Sequence, residues 1–221
     1  MSFAPEKKQV ILGAGGHARV LQEALRLRGG VVSAFVADSE VASETALQAR
    51  QHGIRIVPTD LFEREFSPKD TQLYLGIGAI DRLGLQRRAE LFKSYREKGY
   101  EFPALVHPKA LVAEGVGVGS GSQILMGSIV QIGVRIGDNA IINTGAQLDH
   151  DCQIGAHSHI APAATLAGSV VVSELCLVGA GAVVIQGLRI SEQTLVGAGA
   201  VVLDDLPGFS TAAGVPAKIV G

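Results

Sequence analysis

Residues 141–168 read IINTGAQLDHDCQIGAHSHIAPAATLAG, and within them an aliphatic residue returns at every sixth position: Ile142, Leu148, Ile154, Ile160 and Leu166. Followed outward, the count runs without a miss from Val112 to Val202. A second column, two residues before each aliphatic, is small almost throughout and includes Ala146, Cys152, Ser158, Ala164 and Cys176. A large aliphatic and a small residue alternating as the inward pair of every six define the hexapeptide β-helix repeat, in which three short strands make one triangular coil of about 18 residues. Each coil buries the face of the next, so the pattern carries its own core. No long insertion breaks the register, and the spacing predicts about five coils, a prism roughly 25 Å long at the ~4.8 Å strand separation. Ordinary sandwich strands would not keep such a period. Cys152 and Cys176 both fall in the small inward column and read there as compact hydrophobes.

The first half has a different rhythm. VILGAGGHARVLQEALRLRGG (10–30) gives a short apolar strand, a glycine turn and an amphipathic helix. VVSAFVAD (31–38) is a second strand, LYLGIGA (73–79) a further apolar segment, and DRLGLQRRAELFKSYREKG (81–99) a helix stopped by glycine. Strands alternating with helices imply a parallel sheet. The fold class is therefore α/β followed by β: a small Rossmann-like domain over residues 1–105 and a parallel β-helix over 106–221, left-handed in the known form with this signature.

A net charge of −2 with no run of Lys or Arg leaves no electrostatic footprint for nucleic acid or anionic lipid. MSFAPEKKQV at the start is polar and no apolar stretch reaches the length of a bilayer span, so a cytoplasmic protein without membrane insertion is expected. The two cysteines form no CxxC pair, which points to reduced thiols and away from a zinc ribbon.

Three sites carry candidate chemistry. In GAGGHA (13–18), Gly13, Gly15 and Ala18 fit G-x-G-x-x-A after a strand and before a helix, and Asp38 closes the second strand. Glycine lets the backbone approach a diphosphate whose charge the helix N-terminus favours. An NAD-dependent oxidoreductase stays open on this motif, although a unit this small favours a nucleoside diphosphate over a dinucleotide. His17 opens the helix within reach of a phosphate or sugar hydroxyl, or else is a surface residue; His52 reads as solvated and His107, in VHPKA, as a cap or packing residue. His150, His157 and His159 invite a metal hypothesis, but they fall at different steps of adjacent strands with no matching histidine one or two coils away, so no metal is expected. His157 reads as incidental.

The register offers a better use of His150. It lies two residues after inward Leu148, as Gly168 lies two after inward Leu166, so the two stack on one edge a coil apart. Asp149 and Asp151 flank the histidine, where a carboxylate can hold the ring's tautomer and raise its basicity. The Gly168 N–H can donate to an oxyanion. Base and donor facing one small volume suit acyl transfer from a thioester; a solvated loop histidine or a non-catalytic scaffold is the bland alternative.

GAGGHA (13–18), LGIGA (75–79), residues 142–168 and the closing GVPAK (214–218) together resemble the nucleotide-sugar and sialic-acid acetyltransferases that join a Rossmann-like domain to a left-handed β-helix. The resemblance covers nearly the whole chain. It implies a homotrimer using acetyl-CoA, with the active site between neighbouring β-helices and a nucleotide sugar held by the N-terminal domain. By position it implies His150 as general base with Asp151 as its acidic partner, Gly168 as oxyanion donor, and Asn143 near the acceptor amine. It implies His159 at the acetyl-CoA thioester, Ala180 and Ala198 along the CoA, and Lys218 at a CoA phosphate. Gly15, Gly16, His17, Asp38 and Gly78 match its nucleotide-sugar contacts. Ala37 stands where many members carry the first of two acids, which bears on base and sugar preference. The expected reaction is N-acetylation of the 4-amino group of a nucleotide-linked deoxysugar, a UDP-4-amino-4,6-dideoxy-N-acetylglucosamine type being favoured; O-acetylation of a sialic acid is the nearest competitor.

Overall fold

The computed structural model describes residues 7–38, 49 and 53–220; His52 lies outside them. The chain divides into two compact units, Met1–Gly78 with Glu90–Pro103, and Ala79–Ala89 with Ala104–Gly221.

The first unit is built on four parallel strands, β1 (Lys8–Leu12), β2 (Val32–Val36), β3 (Arg55–Val57) and β4 (Thr71–Leu75), in the order β3-β2-β1-β4. Helix α1 (Gly16–Leu27) follows β1 and turns Ala18, Leu21, Ala24 and Leu25 inward, the spacing of one helical face. Helix α2 (Thr59–Glu65) follows β3, and α3 (Arg82–Glu97) follows β4, its second half belonging to this unit. Val10, Leu12, Ala34, Val36, Leu73 and Leu75 form one face of the core. Against them pack Phe62, Phe66, Tyr95 and Tyr100, whose neighbouring rings lie 5.4–5.7 Å apart. The carboxyl ends of β1, β2 and β4 are left as a crevice, the usual place for a ligand in an open parallel sheet.

The second unit is a left-handed parallel β-helix of two-residue strands, Gln123–Ile124, Ile141–Ile142, His159–Ile160, Leu177–Val178 and Leu195–Val196 stacking on one face. Every pairing between successive rungs of the three faces from Gly117 to Val202 is parallel and 18 residues apart, the register read from the hexads. The faces carry five, six and eight strands, the last including Leu105–Val106 and the closing pair Thr211–Ala213 and Lys218–Ile219. From Ile124 to Val202 the aliphatic column is buried at every position. Burying each such side chain contributes about 1.5–3 kcal/mol, more than the ~1–2 kcal/mol of a non-glycine residue in the left-handed region. Corners can therefore hold Asn139 (φ 54), Asp151 (φ 60) and His157 (φ 61) and still fold.

Residues 79–89, which the sequence assigns to the first domain, cluster with the β-helix instead. Arg82 donates to the carbonyls of Gln193 and Phe209 at 3.2 and 3.1 Å, and Gln86 pairs with Gln193 at 3.0 Å. The corner these residues meet carries Asn139, His157 and Gln193. His157 is not incidental: it is buried, with Nδ1 2.9 Å from the Asn139 carboxamide. His107 is buried and accepts the Lys109 N–H at 3.0 Å, a capping bond. Among the described residues no helix is long and apolar enough to cross a membrane.

Candidate active site

In the β-helix the corner made by residues 149–152 projects His150 into solvent. Its backbone N–H donates to Asp149 Oδ1 at 2.8 Å, and its Nδ1 lies 2.9 Å from Asp151 Oδ2. A carboxylate can only accept, so Nδ1 carries the proton and Nε2 offers its lone pair. The Asp151 hydrogen bond, with the Asp149 charge behind it, holds the His150 imidazole above its ordinary pKa. Gly168 stands directly over the ring: a Cβ there would lie 2.5 Å from Nε2 and 2.6 Å from Cε1. Any side chain at 168 would displace the imidazole, so the stacking read from the register is a close approach of backbone to ring. Gly133, one coil before Asp151, was not singled out by the sequence; a Cβ on it would overlap Asp151 Oδ1. Counting 18 back from Asp151 would have found it.

Asn143 lies at the preceding corner, one face away from His150, and belongs to a second network. Ala79 O accepts from His159 Nδ1 at 2.7 Å, which leaves His159 Nε2 to accept from Asn143 Nδ2 at 2.9 Å. Asn143 Oδ1 in turn accepts the Thr144 N–H at 2.8 Å, so the carboxamide is held at both ends. Burial, against the favourable Ala79 contact and with the Arg88 charge adding to it, holds His159 below its ordinary pKa and neutral. Both its ring nitrogens are engaged within the chain, and a polar contact to a thioester would have to displace one of these bonds. Ala180 and Ala198, exposed and a coil apart, continue the Asn143 corner; Lys218 is exposed on the closing strand pair. The chain thus gathers His150, Asp151 and Gly168 on one edge and sets Asn143, Ala180 and Ala198 along another. Among the described residues no group of three His, Cys, Asp or Glu is placed to hold a metal ion.

In the first unit the glycine turn does what the motif requires. Gly13 has φ +104, and a Cβ on it would lie 2.9 Å from Ile77 and 3.1 Å from Gly76 O. Ala18, the third position of the motif, sits 2.7 Å from where a Gly76 Cβ would be, the close helix–strand packing that needs small residues. Gly15 caps α1 without a side-chain bond, and Gly15 and Gly16 are exposed with open space above them. No acid stands in the first turn to compete for an anion. His17 is half-buried with its Cβ and Cγ 4.0 Å from where a Cβ on exposed Gly78 would be. Asp38 lines a cavity of about 210 Å³ at the strand ends, together with Gly13, Ala37, Thr59, Ile77 and Tyr95. Asp38 is the single carboxylate among the residues that line it.

Residues 8–92 match the PglD N-terminal domain family, and residues 133–168 match the bacterial transferase hexapeptide (six repeats). Comparison with curated proteins gives no match. Among solved structures, PerB from Caulobacter crescentus, in complex with CoA and GDP-perosamine, is 40% identical with a TM-score of 0.84, over 100% of both chains. The acetyltransferase domain of PglB from Neisseria gonorrhoeae is 31% identical with a TM-score of 0.87, over 97% of this chain and 100% of that one. A complex of the same domain with acetyl coenzyme A is 30% identical over the same spans, with a TM-score of 0.86. Identity at that level along the full length, on the same two folds, makes this chain an acyltransferase that belongs to the hexapeptide-repeat family of sugar N-acetyltransferases.

Proposed function

We propose that the protein transfers the acetyl group of acetyl-CoA directly to the amine of a nucleoside-diphosphate-linked 4-amino-deoxysugar, with His150 as general base. The observation that carries this reading is the imidazole whose Nδ1 is tied to Asp151 and whose Nε2 lies against Gly168. As the amine nitrogen attacks the thioester carbonyl, a C–N bond forms and charge gathers on the carbonyl oxygen, to which the Gly168 N–H donates. His150 Nε2 takes the proton from nitrogen, the C–S bond breaks, and the proton passes to the departing sulfur. No acyl-enzyme is needed: Cys152 and Cys176 are buried, and burial pushes both thiols up to about 11.

The exposed alanines Ala180 and Ala198 give the pantetheine arm of CoA an unobstructed edge, with Lys218 for a phosphate. Gly15, Gly16 and His17 take the diphosphate, Gly78 the adjoining sugar, and Asp38 the base or ribose. Because Asn143 and His150 stand at different corners of one chain, we read the complete site as formed by two copies, in a homotrimer whose neighbouring β-helices bring these edges together. Both substrates are cytoplasmic metabolites, which fits a cytoplasmic enzyme. The sequence favours a UDP-linked sugar, and the 40% identity to an enzyme solved with GDP-perosamine puts GDP-linked amino sugars beside it. Incubating the protein and acetyl-CoA with UDP-, GDP- and dTDP-4-amino sugars and with sialic acid, and following thiol release, tests the reading. Turnover with a nucleotide amino sugar is expected; release with sialic acid alone would replace amine by hydroxyl transfer.

A further inference from the structure

Two serines of the small inward column, Ser122 and Ser158, make the same pair of bonds. Ser122 Oγ donates to Gly137 O at 2.6 Å and accepts Ala140 N–H at 3.0 Å; Ser158 Oγ donates to Ser173 O at 2.7 Å and accepts Cys176 N–H at 3.0 Å. Each hydroxyl bridges the ends of a four-residue turn in the next coil. At the corner that carries Asn143 the turns close on themselves, under serine and alanine alike, through Ala146 N–H to Asn143 O, Ala164 N–H to Ala161 O, Ala182 N–H to Gly179 O and Ala200 N–H to Gly197 O. Cys152 follows the serines: Sγ donates to Ala167 O at 3.2 Å and lies against the Val170 N–H. The bridged turn is 167–170, and its first peptide joins the Ala167 carbonyl to the Gly168 N–H.

We propose that Cys152 is a positioning residue for acyl transfer: its thiol holds the Ala167–Gly168 peptide plane so that the Gly168 N–H faces the volume in front of His150 Nε2. The carbonyl and the N–H are opposite ends of one rigid unit, so a donor on the oxygen fixes where the N–H points and polarises it. Burial keeps the thiol protonated at any physiological pH, as a donor must be. Cys176 makes the same bond, to Ser191 O at 3.0 Å, in a turn at the corner that carries Gln193, away from His150. It is the internal control.

The inference rests on Gly168 as oxyanion donor. Three variants test it, each placing in the column a residue type found there elsewhere in the chain: Cys152→Val, Cys152→Ser and Cys176→Val. Cys152→Val is expected to lower kcat about five-fold, the usual worth of one hydrogen bond, with KM for the amino sugar and the pH midpoint of the acid limb unchanged. Cys152→Ser restores kcat to within about two-fold, because serine makes this bridge at 122 and 158. Cys176→Val leaves kcat unchanged whatever it does to Tm. Equal kcat losses in the two valine variants, no loss in Cys152→Val, or no recovery in Cys152→Ser would overturn the proposal. Should Cys152→Val not fold, the Cys152→Ala variant is read against Cys152→Ser by the same criteria. Loss of turnover in His150→Ala beside a fully active Cys152→Val removes this inference alone, whereas an active His150→Ala removes the mechanism beneath it.

Discussion

At the scale of single residues, His150 and His159 are nine positions apart, and their pKa values are displaced in opposite directions for reasons the structure makes visible. His150 stands in water beside two carboxylates, which favour its charged form; His159 is enclosed, and burial favours its neutral form. An exposed base with a raised pKa is competent only above that pKa, so turnover should fall as pH drops through it. Replacing Asp151 by Asn, which tolerates the same left-handed backbone, removes the larger cause and should move the acid limb of kcat/KM to lower pH while lowering the plateau. An acid limb that stays put in Asp151→Asn would mean that another group limits the rate. His150→Ala should cost about 10²-fold or more in kcat, the common worth of a general base, and near-normal turnover of a folded variant would remove it from the mechanism. Asp38 allows a different experiment. A carboxylate at a base edge accepts from the paired N–H donors of guanine but from only one N–H of uracil, whose flanking carbonyls it repels, whereas one at a ribose is indifferent to the base. Titration of GDP and UDP into Asp38→Asn separates these: a weakened GDP preference assigns the base edge, and an equal loss for both assigns the ribose.

At the scale of elements, the β-helix was legible because its period is rigid. A residue's position modulo six says whether it is wall or edge, and modulo eighteen says which residue stacks on it, so His150 over Gly168 could be found by counting. The same counting fails wherever packing comes from outside the repeat. The 79–89 segment reads as the start of an ordinary amphipathic helix, and nothing local tells that Arg82 and Gln86 bond to Gln193 or that Ala79 O fixes the His159 tautomer. His157 is a different case: its partner Asn139 lies eighteen residues before it, and the same count applied to the corner column as well as the inward ones gives the pair. Cysteine was read by hydrophobicity alone, which hides the hydrogen it donates. Gly133 tests the edge reading at this level. Its φ of +77 and the overlap with Asp151 mean that Gly133→Ala strains the corner and pushes the carboxylate off His150 Nδ1. The expected outcome is a drop of about 1–2 kcal/mol in stability, with the acid limb shifted to lower pH as in Asp151→Asn. Lost stability with an unmoved limb would show that Asp151 does not depend on that space.

At the scale of the whole molecule, His159 bears on stability, and the separation of His150 from Asn143 bears on the proposed assembly. Because His159 binds its proton less readily folded than unfolded, the unfolded chain takes up the extra proton once pH falls below the ordinary histidine range near ~6.5. The contribution of His159 is therefore full above that range and declines below it, opposite in sign to that of His150, and His159→Gln, which cannot charge, should make Tm fall less between about pH 6.5 and 5 than in the parent. Assembly is the larger question, since one chain puts His150 on one edge and Asn143 on another. In a closed ring of three identical chains with heterologous contacts, every interface would pair the His150 edge of one copy with the Asn143 edge of the next. Two variants, His150→Ala and Asn143→Ala, would each spoil every site when pure. Mixed in equal amounts, dissociated and reassembled, they would rebuild an intact site wherever the Asn143→Ala copy supplies the histidine and the His150→Ala copy supplies the asparagine, about a quarter of all interfaces. Recovery of that fraction of activity is the expected result. A mixture no more active than its parts would mean that both residues act from the same copy and would place the whole reaction within a single β-helix.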